Sequence, residues 1–190
     1  MNHTPEIKKA IQFAARKHHG QMRKGDEALP YITHLFSAAL LVAEDDVEDA
    51  VVIATLLHDT LEDTDTTKEE LARAFGSRVA EIVATVSEPP RHGDSLHEWK
   101  EQKKQYLAQL KLGSDDALLV AVADKIDNIE GRIAARAKGG PESTARWAQP
   151  SEHYLWLYGA VLRMAEERLA HRVLTKRLAE AYTLEQEALV

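Results

Sequence analysis

Apolar residues recur at three-to-four spacing along most of the chain, and short polar or Gly/Pro-rich clusters divide them into helical segments. Thr4-Pro5-Glu6 reads as a helix start: a hydroxyl for the free amides, a proline where no amide is needed, and an acid facing the dipole. Ile7, Ala10, Ile11, Ala14 and His18 carry that first helix on one face, leaving Lys8, Lys9, Arg16 and Lys17 outside. Gly20 to Pro30, rich in glycine and charge, predicts a loop; Pro30-Tyr31 is expected to be extended, with a second helix from near Thr33 through Glu44. Asp45-Asp46-Val47-Glu48 signals a third helix, through Leu61 or slightly beyond. Its middle, Val51 to Leu57, also suits a buried strand, but length and neighbours favour a central helix. Thr67-Lys68-Glu69-Glu70 and Ser95-Leu96-His97-Glu98 have the form of capping boxes. The first opens a short helix ending at Gly76, followed by another from Ser77 towards Ser87; the second opens a helix running to Gly113. Between them, Glu88-Pro89-Pro90-Arg91-His92-Gly93 is a breaker cluster that predicts a mobile loop. A long helix over 115–137, stopped by Gly139-Gly140-Pro141, and two more over about 151–168 and 171–188 complete the pattern. With no alternating strand pattern and no internal repeat, the predicted fold is all-α.

The length, 190 residues, suffices for one well-filled core and is short for two, so a single compact domain over 1–190 is expected. Lys and Arg number 24 against 31 Asp and Glu, and the resulting net charge of −7 argues against a nucleic-acid partner. Affinity for phosphate then has to come from local basic clusters or a metal. The absence of cysteine excludes disulfides, thiolate zinc sites and cysteine nucleophiles together. No apolar run approaches the roughly 20 residues of a membrane helix, and Met1 to Glu6 does not form a signal peptide. The expectation is a soluble cytoplasmic protein without a membrane partner; oligomeric state is not legible.

Polar groups inside apolar helices carry the chemical information. His58-Asp59-Thr60-Leu61-Glu62-Asp63 follows directly on Val51 to Leu57, and on a continuous helix His58/Glu62 and Asp59/Asp63 lie one turn apart. Carboxylates so close to a core cost several kcal/mol each unless a cation or hydrogen bonds compensate. Leu118 to Ala123 followed by Asp124-Lys125-Ile126-Asp127-Asn128 repeats the anomaly, with Asp124 and Asn128 one turn apart. His34, between Tyr31-Ile32 and Leu35-Phe36, is the third instance. His34, His58, Asp59 and Asp124 make a mixed nitrogen/oxygen set for one divalent ion: Mn²⁺, Fe²⁺ or Zn²⁺, with Mg²⁺ disfavoured by two histidines. Without thiolates, such a set suits a catalytic metal better than a structural one. Each feature alone has a plainer reading. His34 is then a hydrogen-bonded core residue, Glu62-Asp63 a solvated end turn, and Asp124 a partner for Lys125 or Arg132. The ordered series, histidine, then His-Asp, then aspartate, each at an apolar helix boundary, is what shifts the balance.

That series is the signature of the HD superfamily of metal-dependent phosphohydrolases, and the surrounding residues resemble the hydrolase domain of RelA/SpoT-type enzymes and the stand-alone small alarmone hydrolases. The resemblance covers roughly residues 5–130. It rests on Phe13-Ala14-Ala15 leading to His18, Gln21, Arg23 and Lys24, on Pro30-Tyr31-Ile32-Thr33-His34, and on Leu56 to Thr64, whose Glu62-Asp63 pair many other HD enzymes lack. Phe75-Gly76 and Ala123 to Asn128 complete it, and Trp99 to Leu107 is similar to stand-alone bacterial members; the helices of 141–188 are less distinctive. The resemblance implies a helical HD fold binding one Mn²⁺ through His34, His58, Asp59 and Asp124. It implies Glu62 and Asp63 as the pair that orients and deprotonates water, with Arg23, Lys24 and Asn128 binding the nucleotide. The implied reaction removes the 3′-pyrophosphate of guanosine tetra- or pentaphosphate, (p)ppGpp, giving GDP or GTP.

The chain departs from that pattern in two places. Ser87-Glu88-Pro89-Pro90 stands where Thr-Asp-Asp-Lys is usual, and Ile129-Glu130-Gly131 precedes Arg132 where an apolar residue and an arginine are common. An acid in place of a base is expected to weaken the grip on phosphate, which leaves the adenosine counterpart (p)ppApp as an alternative substrate. Another phosphoester, or nucleotide sensing without turnover, are the competing functions. Lys100, Lys103 and Lys104 are candidates for the 5′-phosphates or a solvated helix face, and Trp147, Tyr154, Trp156 and Tyr158 read as packing for the last helices.

Overall fold

The computed structural model describes residues 4–23, 26–139 and 150–189. Lys24, the Gly140-Pro141 helix stop and Trp147 lie outside them. Helix α1 (Pro5–Lys17) starts as its sequence dictates: Thr4 Oγ accepts from the Ile7 amide at 3.3 Å, and its hydroxyl donates to Asp49 Oδ2 at 2.9 Å. The expected loop that follows contains a short antiparallel hairpin, β1 (Met22–Arg23) and β2 (Asp26–Pro30), with Met22 opposite Pro30 and an irregular register. Two paired residues are too few to produce a visible alternation, so among the described residues the all-α expectation holds outside this hairpin.

Helix α2 (Ile32–Val42) leads to α3 (Asp49–Leu57), in which every residue from Val51 to Leu57 is buried. Both limits of α3 differ from expectation. Asp45 does not start α3; its carboxylate accepts from the amides of Val173 and Leu174 at 3.1 and 3.3 Å and so caps a helix at the far end of the chain. At the other end, the helix stops at Leu57 and resumes as a single turn, α4 (Thr60–Asp63). Side chains interrupt the ladder: His58 Nδ1 donates to the Thr55 carbonyl at 2.7 Å and the Thr60 hydroxyl to the Leu57 carbonyl at 2.6 Å.

Helices α5 (Lys68–Phe75) and α6 (Ser77–Val86) meet at Gly76, whose φ of +90° is the conformation that favours glycine. Thr67 caps α5 through the Glu70 amide, but the Glu70 carboxylate reaches Lys17 at 3.2 Å rather than returning to the cap, so only half of that box forms. The box at Ser95 and Glu98 is complete and opens α7 (Leu96–Leu112).

Helix α8 (Asp115–Gly139) is the second central element, with Ala117 to Ile126 buried without interruption. It packs against α2, α6, α9 (Ser151–Arg168) and α10 (Val173–Glu187), while α3 packs against α1, α2 and α6. Arg132 of α8, fully buried, pairs through Nε with Glu185 of α10 at 2.8 Å, and Arg136 joins the same carboxylate. The last helix is therefore tied to the helix that carries Asp124. Among the described residues no helix is long and apolar enough to cross a membrane.

Candidate active site

The start of α2, the end of α3 and the middle of α8 converge on one point. His34 enters from the first turn of α2, His58 and Asp59 from the break between α3 and α4, and Asp124 from the middle of α8. Asp59 Oδ2 lies 3.1 Å from His58 Nε2 and 3.5 Å from His34 Nε2; Asp124 Oδ1 lies 3.3 Å from His34 Nε2 and 3.8 Å from His58 Nε2. Donors bound at about 2.0–2.2 Å to one ion stand roughly 3–3.5 Å from each other; His34, His58 and Asp59 form a set of potential ligand atoms that all lie within 4.8 Å of one another, and Asp124 stands beside it, against the two imidazoles.

The hydrogen bonds on the far side of each ring fit the same set. His58 Nδ1 is committed to a carbonyl, and His34 Nδ1 to Asp127 Oδ2 at 2.5 Å; both acceptors require a proton on Nδ1. The Nε2 lone pairs are then turned towards carboxylate oxygens, and buried His58 Nε2 makes no hydrogen bond at all. Two lone pairs and two anions facing one another call for a positive charge between them, and a divalent cation or protons can supply it. Burial opposes charge on both imidazoles. The hydrogen bonds of His34 to Asp124 and Asp127, and the charges of Asp59 and Asp124 beside His58, outweigh it and raise both, His58 strongly. The same contacts hold Asp59 and Asp124 below the ordinary carboxylate range against the pull of burial; for Asp124 the Lys125 ammonium acts first.

Around this centre opens a cleft of about 460 Å³, within the range of small-molecule sites. Glu62 and Asp63, from α4, lie on its wall. Glu62 is exposed to the cleft, and its Oε1 accepts from the Glu88 amide at 2.8 Å. The protein mass around it, then the Glu88 and Asp59 carboxylates, push its carboxyl well up. Asp63 is also exposed, and the Gln21 amide donates to its backbone carbonyl at 2.7 Å. Arg23 and Asn128, also lining the cleft, are joined: Arg23 Nη2 donates to Asp127 Oδ2 at 3.1 Å and Asn128 Oδ1 at 3.3 Å, and the Asn128 amide donates to Asp124 Oδ1.

Several residues here escaped the sequence reading. Tyr31 donates its hydroxyl to Asp59 Oδ2 at 2.6 Å; the expected pairing of Asp124 with Lys125 is present, buried Lys125 contacting Asp124 Oδ2 at 2.5 Å. Of Lys100, Lys103 and Lys104 only Lys103 lines the cleft, where it pairs with Glu88 while burial lowers its pKa; Lys104 pairs with Glu101 on the solvent side. Tyr154 and Tyr158 are not simple packing residues, since both also line the cleft. Glu130 faces solvent and pairs with Arg177 at 3.1 Å, so its own charge does not line the cleft. The predicted mobile loop begins anchored, with Glu88 held as described and the Pro89 carbonyl accepting from Gln102 at 2.8 Å.

Charge in the cleft follows a simple pattern. Its cations Arg23, Lys103 and Lys125 are each already paired with a carboxylate, Asp127, Glu88 and Asp124 respectively. Asp59 and Glu62 make no ion pair with an ammonium or guanidinium among the described residues; the carboxylate of Asp59 faces the imidazoles of His34 and His58 instead.

Comparison with known proteins places these features in context. A family model described as the HD domain matches residues 10–149. The human guanosine-3′,5′-bis(diphosphate) 3′-pyrophosphohydrolase MESH1 is 35% identical over 174 residues, covering 87% of this chain and 92% of that protein. A guanosine-3′,5′-bis(diphosphate) 3′-pyrophosphohydrolase from Aquifex aeolicus is 39% identical over 130 residues; they cover 67% of this chain but only 18% of that longer relative. Among solved structures, a metazoan ortholog of SpoT, described as hydrolysing ppGpp and acting in starvation responses, aligns over 100% of this chain and 99% of its own with a TM-score of 0.76 at 23% identity. At that identity the likeness establishes the fold.

Proposed function

The chain belongs to the HD-domain family, and on that premise we propose that it hydrolyses (p)ppGpp, releasing the 3′-pyrophosphate and leaving GDP or GTP. The observation that carries this reading is the convergence of two imidazole lone pairs and two carboxylates at 3.1–3.8 Å in a cleft walled by Glu62 and Asp63. Membership of the family implies a divalent cation; the donor set His34, His58, Asp59 and Asp124 would hold it, and we assign Mn²⁺, with Fe²⁺ or Zn²⁺ as the other ions such a set accepts. When bound, that cation supplies Lewis acidity towards phosphate and makes water easier to deprotonate, from a pKa of 15.7 towards about 7.

The remaining work belongs to the chain itself. Glu62, raised by its surroundings, takes the proton of the attacking water, a contribution of roughly 10²- to 10⁴-fold. Its bond to the Glu88 amide fixes the carboxyl, and Asp63 on the same turn orients the water. Arg23 presents a planar guanidinium to the nucleotide, Asn128 offers its amide beside Asp124, and Lys103 faces phosphate from α7. The reading treats 1–190 as one working unit, since α10 is bonded to the helix that carries Asp124. The test is product analysis of the Mn²⁺-loaded protein with ppGpp, ppApp and nucleoside monophosphates, controlled by EDTA and metal add-back. Pyrophosphate from ppGpp supports the proposal. Orthophosphate from monophosphates, release from ppApp alone, or binding without turnover overturns it.

A further inference from the structure

One carboxylate behind the cleft, that of Asp127, bonds to two of the residues that line it, His34 and Arg23. We propose that Asp127 is a positioning residue that couples the cation site to the nucleotide wall through a single oxygen atom. Its Oδ2 accepts from His34 Nδ1 at 2.5 Å and from Arg23 Nη2 at 3.1 Å, joining α8, α2 and β1. The three side chains are 15%, 2% and 16% exposed, so water competes little for these charge-assisted bonds. Asp127 shares one helix face with Asp124 and Asn128, three residues after the first and next to the second.

The chemistry of each partner gives the coupling its meaning. A carboxylate only accepts, so His34 keeps its proton on Nδ1 and turns the Nε2 lone pair towards Asp59 and Asp124. The same oxygen anchors one edge of the Arg23 guanidinium, whose carbon then lies 5.9 Å from the centre of the Tyr31 ring. Tyr31 in turn donates to Asp59. Loss of Asp127 therefore frees the tautomer of a cation donor and the orientation of a nucleotide-facing cation together. The nucleotide half of this inference rests on the function proposed above; the cation half does not.

The experiment compares Asp127→Ala, Asp127→Asn, Arg23→Ala and the double variant Arg23→Ala/Asp127→Ala. The readouts are the ¹⁵N signature of the His34 tautomer without metal, the Mn²⁺ dissociation constant by calorimetry, and KM for ppGpp. Asp127→Ala is expected to mix the tautomers and weaken Mn²⁺ binding about 10- to 100-fold, the usual cost of losing a carboxylate behind a ligating histidine. Asp127→Asn keeps an acceptor oxygen, restoring the Nδ1-protonated form and part of the affinity, and decides the matter should the alanine variant not fold. Arg23→Ala raises KM and leaves Mn²⁺ affinity within about twofold, and the double variant has a KM no higher than the worse single. Unchanged Mn²⁺ affinity and tautomer in Asp127→Ala, unchanged affinity in Asp127→Asn, or KM effects that multiply in the double variant overturn the coupling. Failure of the alarmone reading shows differently, as a parent protein that binds Mn²⁺ and releases no pyrophosphate.

Discussion

The two raised imidazoles make cation binding a competition with protons, and its pH dependence can be worked out in sign and size. Without metal, His34 and His58 are raised above their ordinary value of 6.5 in the folded chain. Their protonation therefore contributes stability that is fully present below about pH 6.5 and is lost as pH rises through the folded-state values. The metal-free protein is expected to melt at a lower temperature at pH 8.5 than at pH 6.5. A divalent cation needs both Nε2 lone pairs, so binding displaces up to two protons and the affinity rises by as much as about 10- to 100-fold per pH unit within that window. At a free Mn²⁺ concentration 100 times the dissociation constant, the fold gains about 2.7 kcal/mol. For a chain of 190 residues that corresponds to a rise in Tm of roughly 5–11 °C. Scanning calorimetry across pH 6 to 9 with and without Mn²⁺ measures the shift, and titration calorimetry in two buffers of different ionisation enthalpy counts the protons released. A stabilisation equal at both ends of the range, with no proton released, would refute the reasoning and the donor geometry behind it.

Two further outcomes follow from the same contacts. Glu62→Gln keeps an acceptor for the Glu88 amide but not the base, so kcat for pyrophosphate release is expected to fall roughly 10²- to 10⁴-fold while Mn²⁺ affinity holds, read by steady-state kinetics beside titration calorimetry. Glu185→Ala leaves the buried Arg132 guanidinium without its carboxylate and is expected to cost about 3–5 kcal/mol, measured by urea unfolding; a loss under about 1 kcal/mol would remove the pairing of α8 and α10 from the list of stabilising contacts.

Long periodic helices and the polar residues set against apolar runs are readable from the chain, because both leave marks at fixed spacing. Thr4, Ser95 and Gly76 punctuate the helices as their chemistry requires. His34, His58 and Asp59 stand out because each sits at an apolar helix boundary, and Asp124 because it follows a buried apolar run, although that run lies inside α8 and not at its end; the structure sets the four side chains side by side. What was not readable depends on partners distant in sequence. Asp45 looks like a local cap and caps α10, 128 positions away. The break after Leu57 has no glycine or proline to announce it, since two side chains bonding back to carbonyls interrupt the helix without disturbing the hydrophobic pattern. The bond of Tyr31 to Asp59 and that of Lys103 to Glu88 join residues distant in sequence, which no spacing encodes. Asp127 left a weak trace, a further acid on the face shared by Asp124 and Asn128.

The interrupted turn at His58 has a bearing on any attempt to transplant this centre. Because the imidazole both points a nitrogen at the basin and satisfies the Thr55 carbonyl, the donor and the helix terminus are the same object. A graft of four side chains onto an uninterrupted helical scaffold would leave Nδ1 without its fixed acceptor and let the ring swivel. The portable unit is the backbone from Thr55 to Thr60 with its own bonding, and it has to travel whole.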